Sequence, residues 1–535
     1  MDTVVLPAGW ERHAATTATL FDPLGPSLAW WGTAALLLVA AVGLSERRPR
    51  LSLALALCAT PILAISANGL LDDAYIQFRY AANLAGGLGP VFNAGERIEG
   101  ASGGAWIGAI AVVSAVSGRD AAVCGRLLSV AAACLSSFAA AAFGGALAGP
   151  RGAARAAILW AAVPTTALYA ATGLEASAFA LALWLIAASV VRDRCGPVAA
   201  AGGALAASLR PEGAVLLAGA SLLWRYLGRS GTAALIGTAA GTVIMAASRL
   251  AFYGLPVPRS AIVKGVTASA GLDAGLRYLA RVAFEWWPLA PALLFDRSRK
   301  LTVPILAAAP WVALVVLRGG DWMPGGRYFL PVLVILVAGA AIVPSSRMAS
   351  WILVGSLIWS LLLMMPLPES GDFSRRLPAG WAWRSMAEHR AQARWWEALG
   401  VWVRASAPAD AYLASGPSGA LPYGARLRTF DMYGLCSPVK QESGWEAGHR
   451  LWGLREAVEA GADWIYPGRE LLLVRSPDAV LPAADVRSSD PLADYTPVTI
   501  VHAPEYRLDF LRDTIWVRRE HLPTAPAPAA VPRGR

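Results

Sequence analysis

Charge is scarce in this chain. Only 15% of its 535 residues are charged, against 56% hydrophobic. The mean hydropathy is +0.49. That balance excludes an ordinary soluble protein and indicates a polytopic membrane protein. Histidine and cysteine are also rare, five of each. The histidines at 13, 389, 449, 502 and 521 are scattered, which argues against a His-built metal site. The cysteines at 58, 124, 134, 195 and 436 lack metal-ligand spacing, and four lie in or beside apolar runs, so no disulfide framework is expected. There is no glycine-rich nucleotide loop, no internal repeat and no evident cleavable signal peptide. The formal net charge of +10 is spread through short loops between apolar runs. A nucleic-acid binder would concentrate it in one basic patch, so topology explains it better.

What is abundant is apolar runs, many near the roughly 20 residues that cross a bilayer. Leu28–Leu44 is followed by Glu46, Arg47, Arg48 and Arg50, which the positive-inside rule places in the cytoplasm. Leu51–Leu71 then returns outward. Ala105–Val116 is short and reads as a juxtamembrane or re-entrant helix. The further spans are Ala121–Ala148, Ala156–Ala171, Ala176–Val191, Pro197–Leu209, Ala214–Trp224, Gly231–Tyr253, a run ending at Phe295, Leu301–Leu317, Tyr328–Val343 and Trp351–Pro366. That makes about twelve by the length rule. Leu272–Trp287 should lie along the outer surface, with Trp286 and Trp287 as interfacial anchors. This alternation puts the basic loops inside and the polar clusters outside.

From about Pro368 the composition changes. A Trp-rich amphipathic stretch, Met386–Ala405, precedes short alternating runs at Ala411–Ser415, Trp464–Pro467, Leu471–Val474 and Thr514–Arg518. The fold class is therefore a multi-span helical membrane protein with a small C-terminal extracytoplasmic α/β domain. The expected divisions are an N-terminal outer segment at 1–27, the membrane domain at 28–367, the α/β domain at 368–523 and a disordered Pro/Ala tail at 524–535.

The membrane domain is organised around its first outer loop, 72–104. Asp72 and Asp73 sit where an apolar run meets water, a costly place unless they are solvated, paired or used. Tyr75, Arg79, Tyr80, Asn83, Asn93, Glu96, Arg97 and Glu99 follow, among turn glycines. The pattern suits a polar site on a rigid scaffold, and equally a solvated interfacial loop.

The stretch DDAYIQFRYAANLAGGLGPVFNAGERIEG at 72–100 resembles the first extracytoplasmic loop of the GT-C superfamily of membrane glycosyltransferases. It is most similar to the branch of mycobacterial terminal arabinofuranosyltransferases. Shorter likenesses lie at Thr172–Glu175, Arg210–Gly213, Pro258–Lys264, Gly319–Pro331 and Asp431–Pro438. The chain departs from that branch at Ala101–Gly104, a loop that can face the acceptor, so the resemblance does not fix acceptor identity.

The resemblance implies an inverting enzyme of the bacterial plasma membrane, multi-pass, with its site on the extracytoplasmic face. It implies a polyprenyl-phosphate sugar donor, with arabinofuranose the best specific sugar, and a cell-envelope glycan or lipid acceptor. Another pentose or a hexose is the alternative. A transporter or lipid flippase is a rival of another class, and it predicts acids and bases buried mid-span. Asp72 or Asp73 supplies the base, with Asp72 favoured because it leads the motif. Lys264 and Arg327, then Arg210 and Arg259, are the donor-phosphate ligands. Interfacial snorkelling is the competing role for Arg259 and Lys264, and pairing with Asp321 for Arg327. Tyr75, Arg79, Tyr80, Glu99, Glu175, Glu212, Asp321 and Trp322 are candidate substrate-binding residues. Tyr75, Tyr80 and Trp322 can equally be interfacial aromatics. Asp431 is expected to dock the α/β domain. No cofactor is assigned, although paired carboxylates can bind a divalent cation.

Overall fold

The computed structural model describes residues 3–6, 28–66, 69–192, 196–210, 213, 215, 228–258, 268–291, 302–321, 323, 325–343, 346–365, 381–437, 454–468, 492, 494–502 and 512–522. Glu212, Arg259, Lys264, Trp322, most of the Ala214–Trp224 run, the run Leu471–Val474 and the 524–535 tail lie outside these residues.

The chain opens with strand β1 (Thr3–Leu6), then α1 (Leu28–Leu44) and α2 (Pro49–Ser66) form an apolar hairpin. α3 (Asp72–Ala85) and α4 (Gly104–Ser117) bracket the polar loop. α5 (Ala121–Ala162) is 42 residues long but breaks at Ala148 and Gly149, ahead of Pro150. Gly149 has φ +60°, a left-handed value that favours glycine. The two arms fold back so closely that a Cβ on Gly144 would sit 2.2 Å from the carbonyl oxygen of Gly152. α6 (Pro164–Tyr169), α7 (Ala176–Arg192), α8 (Gly196–Leu209) and α9 (Gly228–Tyr253) follow. α10 (Ala268–Trp286), α11 (Thr302–Leu317), α12 (Leu330–Ala341) and α13 (Ser346–Leu363) complete the bundle.

Three of the described helices are long and apolar enough to cross a membrane, α2, α5 and α9, and seven shorter apolar helices accompany them. α4, at 14 residues, is roughly 21 Å long and too short to cross alone. The bundle packs through small residues. A Cβ on Gly237 of α9 would lie 1.9 Å from the Ala200 carbonyl oxygen of α8, and one on Gly203 would lie 2.2 Å from that of Ala234. Such contacts let helix backbones approach where lipid offers no hydrophobic driving force. Gly237→Val should therefore push α8 and α9 apart and lower the thermal midpoint of the purified protein; an unchanged midpoint would refute the close packing. Trp286, expected as an interfacial anchor, is instead buried, and its indole N–H donates to Thr165 Oγ1 at 3.1 Å. Trp287 is the exposed member of the pair.

The second unit is a sheet with flanking helices. α14 (Trp381–Ser406), β2 (Tyr412–Ser415), α15 (Ala420–Ala425), β3 (Arg428–Asp431), α16 (Leu454–Glu459), β4 (Trp464–Tyr466), β5 (Tyr495–His502) and β6 (Arg512–Arg518) build it. The strand order is β1-β5-β6-β4-β2-β3, parallel at β1/β5 and among β4, β2 and β3, antiparallel elsewhere. The N-terminal strand thus belongs to a sheet otherwise made by the last quarter of the chain, which no local pattern announces. Its core holds Trp395, Leu399, Trp402, Leu413, Trp464 and Ile515, all essentially fully buried.

At the end of the bundle beyond α1 and α2, Glu46 pairs with Arg155 at 2.5 Å and with Arg151 at 3.4 Å. The α/β unit sits at the other end of α2, seated on α3.

Candidate functional site

α3 is a helix with two working faces. Asp72, Tyr75 and Arg79 recur at helical spacing and all reach the α/β unit. Asp72 opens the helix without a capping side chain behind it. Its own carboxylate instead accepts from the backbone N–H groups of Ala420 at 2.7 Å and Gly419 at 3.2 Å. Gly419 is required there, because a Cβ would fall 1.9 Å from the Asp72 carbonyl oxygen. The Tyr75 hydroxyl donates to Glu397 Oε2 at 2.7 Å. Arg79 donates to the carbonyls of Phe92 (2.8 Å), Pro422 (2.7 Å) and Leu427 (2.6 Å), and to Asn93 Oδ1 (3.0 Å). Asn93 carries the loop on to Thr429, whose N–H donates to its Oδ1 at 3.0 Å.

The other face carries Asp73 and Gln77, one turn apart. They open onto a cavity of about 420 Å³ between the helical bundle and the α/β unit. Bundle residues on its wall include Asp73, Gln77, Glu175, Arg210, Arg327 and Tyr328. Arg327 donates through Nε to Asp321 Oδ2 at 2.5 Å and through Nη2 to Asp321 Oδ1 at 3.3 Å. The same Nη2 lies 3.6 Å from Asp73 Oδ2. Arg210 pairs with Glu175 at 2.9 Å, and Glu175 also accepts from Gln77 Nε2 at 2.9 Å. Both guanidinium groups lie over the Tyr328 ring, at 4.9 Å for Arg210 and 5.2 Å for Arg327. A glycine-rich segment makes this possible: Gly325 and Gly326 both adopt left-handed φ just before Arg327, and a Cβ on Gly326 would meet Trp286 at 2.9 Å.

The electrostatics separate the two aspartates. Burial pushes the Asp72 carboxyl up to about 7, with the Ala420 and Gly419 N–H groups opposing the rise and the neighbouring Asp73 charge adding to it. The Asp73 side chain keeps 31% exposure. Glu175 shows the reverse outcome: burial raises it, but Arg210 and Arg327 outweigh that, so its carboxyl is held below the usual range. The raised Asp72 group has a stability consequence. Between its ordinary value of 3.8 and about 7 the folded protein holds a proton that the unfolded chain has lost. Stability therefore falls as pH rises through that window and levels off above it. Thermal midpoints measured from pH 4 to 8 should show the decline, and Asp72→Asn should flatten it.

Several sequence expectations change here. Tyr75, Arg79 and Tyr80 do not line the cavity. The first two fasten the α/β unit, and the Tyr80 hydroxyl donates to the Ile98 carbonyl while accepting from the Gly100 N–H at 2.7 Å. Glu99 is likewise buried in a pair with Arg249 at 2.8 Å, and burial raises its carboxyl. Asp321 stands behind Arg327 with its side chain 2% exposed, so it holds the guanidinium and is not presented to the cavity. Asp431 accepts from the N–H groups of Cys436 (2.7 Å) and Tyr433 (2.8 Å) and from the Ser418 hydroxyl, so it shapes the loop that closes the cavity. Gln77, His389, Trp396, Ser418 and Tyr433 also line the cavity and were not foreseen. The one usable signal was Gly416-Pro417-Ser418-Gly419 after an apolar run, a strand-turn-helix pattern.

The crystal structure of ArnT from Cupriavidus metallidurans bound to undecaprenyl phosphate matches this chain with a TM-score of 0.52, over 89% of this chain and 98% of that one, at 14% identity. The protein thus shares the overall fold of that structure, a helical bundle with apolar helices long enough to cross a membrane. Residues 382–517 match a family model described as a domain of unknown function, DUF8728. No curated protein matches the sequence.

Proposed function

We propose that this protein is an inverting membrane glycosyltransferase that takes a sugar from a polyprenyl-phosphate donor. The observation that carries the reading is a single cavity holding a half-open carboxylate, Asp73, 3.6 Å from a buried guanidinium, Arg327. A base and a phosphate ligand at that separation suit displacement at an anomeric carbon. The acceptor oxygen forms a bond to that carbon, and its proton goes to the Asp73 carboxylate. The bond from the carbon to the phosphate oxygen breaks, and the lipid phosphate leaves with the electron pair, stabilised by Arg327 and Arg210. Asp73 therefore takes the base role in place of Asp72, which is committed to the Gly419 and Ala420 N–H groups. The undecaprenyl phosphate bound in ArnT supports the donor class, through likeness of fold.

Asp73, Glu175 and Asp321 offset the charge of Arg210 and Arg327, so a lipid phosphate needs further cations. We assign these to Lys264 and Arg259 in the PVPRSAIVK segment, and a divalent cation on Asp73 is the alternative. Lys264→Met should raise the donor KM about tenfold or more, the loss of one phosphate contact. An unchanged donor KM removes Lys264 from the site. Glu212 and Trp322 remain assigned to substrate binding from the motif likeness alone.

The best specific sugar is arabinofuranose, passed to a cell-envelope glycan on the outer face of the bacterial plasma membrane. Another pentose or a hexose is the alternative. Purified protein incubated with a panel of polyprenyl-phosphate sugars should consume one of them; consumption of none sinks the reading. For sidedness, an impermeant thiol reagent should label Arg97→Cys and miss Arg151→Cys in a cysteine-free background. The reverse pattern rejects the outer site.

A further inference from the structure

The cavity has two chemically different walls. Among the described residues that line it, the charged ones, Asp72, Asp73, Glu175, Arg210 and Arg327, all belong to the bundle wall. The other wall comes from α14 and from the loops that follow β2 and β3. It presents His389, Gln392, Trp396, Ser418 and Tyr433, none with a permanent charge. Trp396 is half-buried at the seam, packed against both the bundle core and the sheet core, while its neighbour Trp395 is fully buried. This wall is tied to the bundle by hydrogen bonds. Asp72, Tyr75 and Arg79 fix it to α3, and the Tyr423 hydroxyl fixes it to Asp120 at 2.7 Å.

We propose that the α/β unit is the acceptor-binding half of the site, and that it holds a neutral, hydroxyl-rich acceptor with Trp396 as a flat platform. This rests on the transferase reading above. Inversion needs the incoming oxygen on the side of the anomeric carbon away from the leaving phosphate. The phosphate belongs with the guanidinium groups of the bundle wall, because among the described lining residues only that wall carries Arg or Lys. The acceptor is then left to the wall of the α/β unit, with Asp73 on α3 between the two. Asp73 takes the acceptor proton as the new carbon–oxygen bond forms and the phosphate oxygen departs with its electron pair. An acceptor carrying phosphate or carboxylate near its reacting hydroxyl would find no fixed counter-charge on this wall. Gln392 and Ser418 offer hydrogen-bonding groups, and an indole face offers area for the apolar side of a sugar ring. On this proposal the domain of unknown function at residues 382–517 is the part of the chain that reads the acceptor.

The test uses full-length protein in lipid nanodiscs and separates the two substrates. The donors are decaprenyl-phosphate arabinofuranose and a hexose counterpart. The acceptors are synthetic neutral octyl oligosaccharides, and the same compounds bearing a phosphate beside the accepting hydroxyl. Trp396→Leu and, as a second variant less embedded in either core, Gln392→Ala should raise the acceptor KM, about tenfold for the indole. The donor KM should stay where it is. Trp396→Phe should recover part of the loss, and the phosphorylated acceptors should be poor substrates for the parent enzyme. A donor KM that rises with the acceptor KM, an acceptor KM that does not move in either variant, or a preference for the phosphorylated acceptor overturns the assignment. A parent enzyme that consumes neither donor overturns the transferase reading and this one with it.

Discussion

Asp73→Asn lowers kcat by about 10² to 10⁴, the usual worth of a positioned general base, and leaves the fold in place. Asp72→Asn does the opposite: it keeps most of its turnover and flattens the fall of stability between pH 4 and 7. The difference follows from what each carboxylate already touches. Both Asp72 oxygens are engaged by backbone N–H groups of the α/β unit, so its removal loosens a docking contact. Asp73 lies 3.6 Å from Arg327 and faces the cavity. An amide there keeps the shape and cannot take a proton. Transfer from a labelled lipid-phosphate sugar, read beside the thermal midpoint of each variant, separates the two roles. Full turnover in Asp73→Asn would falsify the base assignment.

Arg79→Met gives the largest expected loss of stability. Arg79 is 8% exposed, and its guanidinium stacks over the Phe92 ring at 4.3 Å while donating to three main-chain carbonyls. Methionine fills part of the volume and restores no donor. The carbonyls of Phe92, Pro422 and Leu427 each keep one other donor (the Asn83 amide, the Arg426 N–H and the Thr429 hydroxyl) but lose a charge-assisted bond, worth roughly 1.5–3 kcal/mol each. With partial rescue by water the net loss is roughly 3–5 kcal/mol. For a unit of this size that lowers the unfolding midpoint by roughly 10 °C. Limited proteolysis should report it first, as faster cleavage in the segment after Asp431. Arg79→Lys should behave almost as badly, because one ammonium cannot span acceptors placed around a planar fork. A midpoint within a degree or two of the parent's would show that the α/β unit is held by something else.

Much of this architecture could be read from residue order. Apolar length and loop charge located the helical hairpins, including the reversal near Arg151, because lipid leaves a chain few alternatives. The Trp-rich run and the alternating runs at 411–415, 464–467 and 514–518 marked a helix and three strands of the α/β unit for the same kind of reason: periodicity is local. The tandem aspartates were visible because adjacent acids beside an apolar run are expensive. What could not be read was which polar residues face the cavity. Asp72 and Asp73 differ by one position and about 100° of helix rotation. Tyr75, Arg79 and Tyr80 look like substrate ligands by type. They turn out to meet main-chain and side-chain partners, many of them some 320 to 350 residues away in sequence. His389, Trp396 and Tyr433 were invisible as site residues because a lining position depends on how two units dock, which no spacing rule encodes.

β1 lies beside β5 in the sheet, register Thr3 to Thr499. Two strands sharing a ladder are on the same side of a bilayer. The chain must therefore make an even number of crossings between its sixth residue and the start of the α/β unit, whatever the exact limits of each helix. An odd count is forbidden by that one row of backbone hydrogen bonds, and any short helix promoted to a full crossing has to be matched by another.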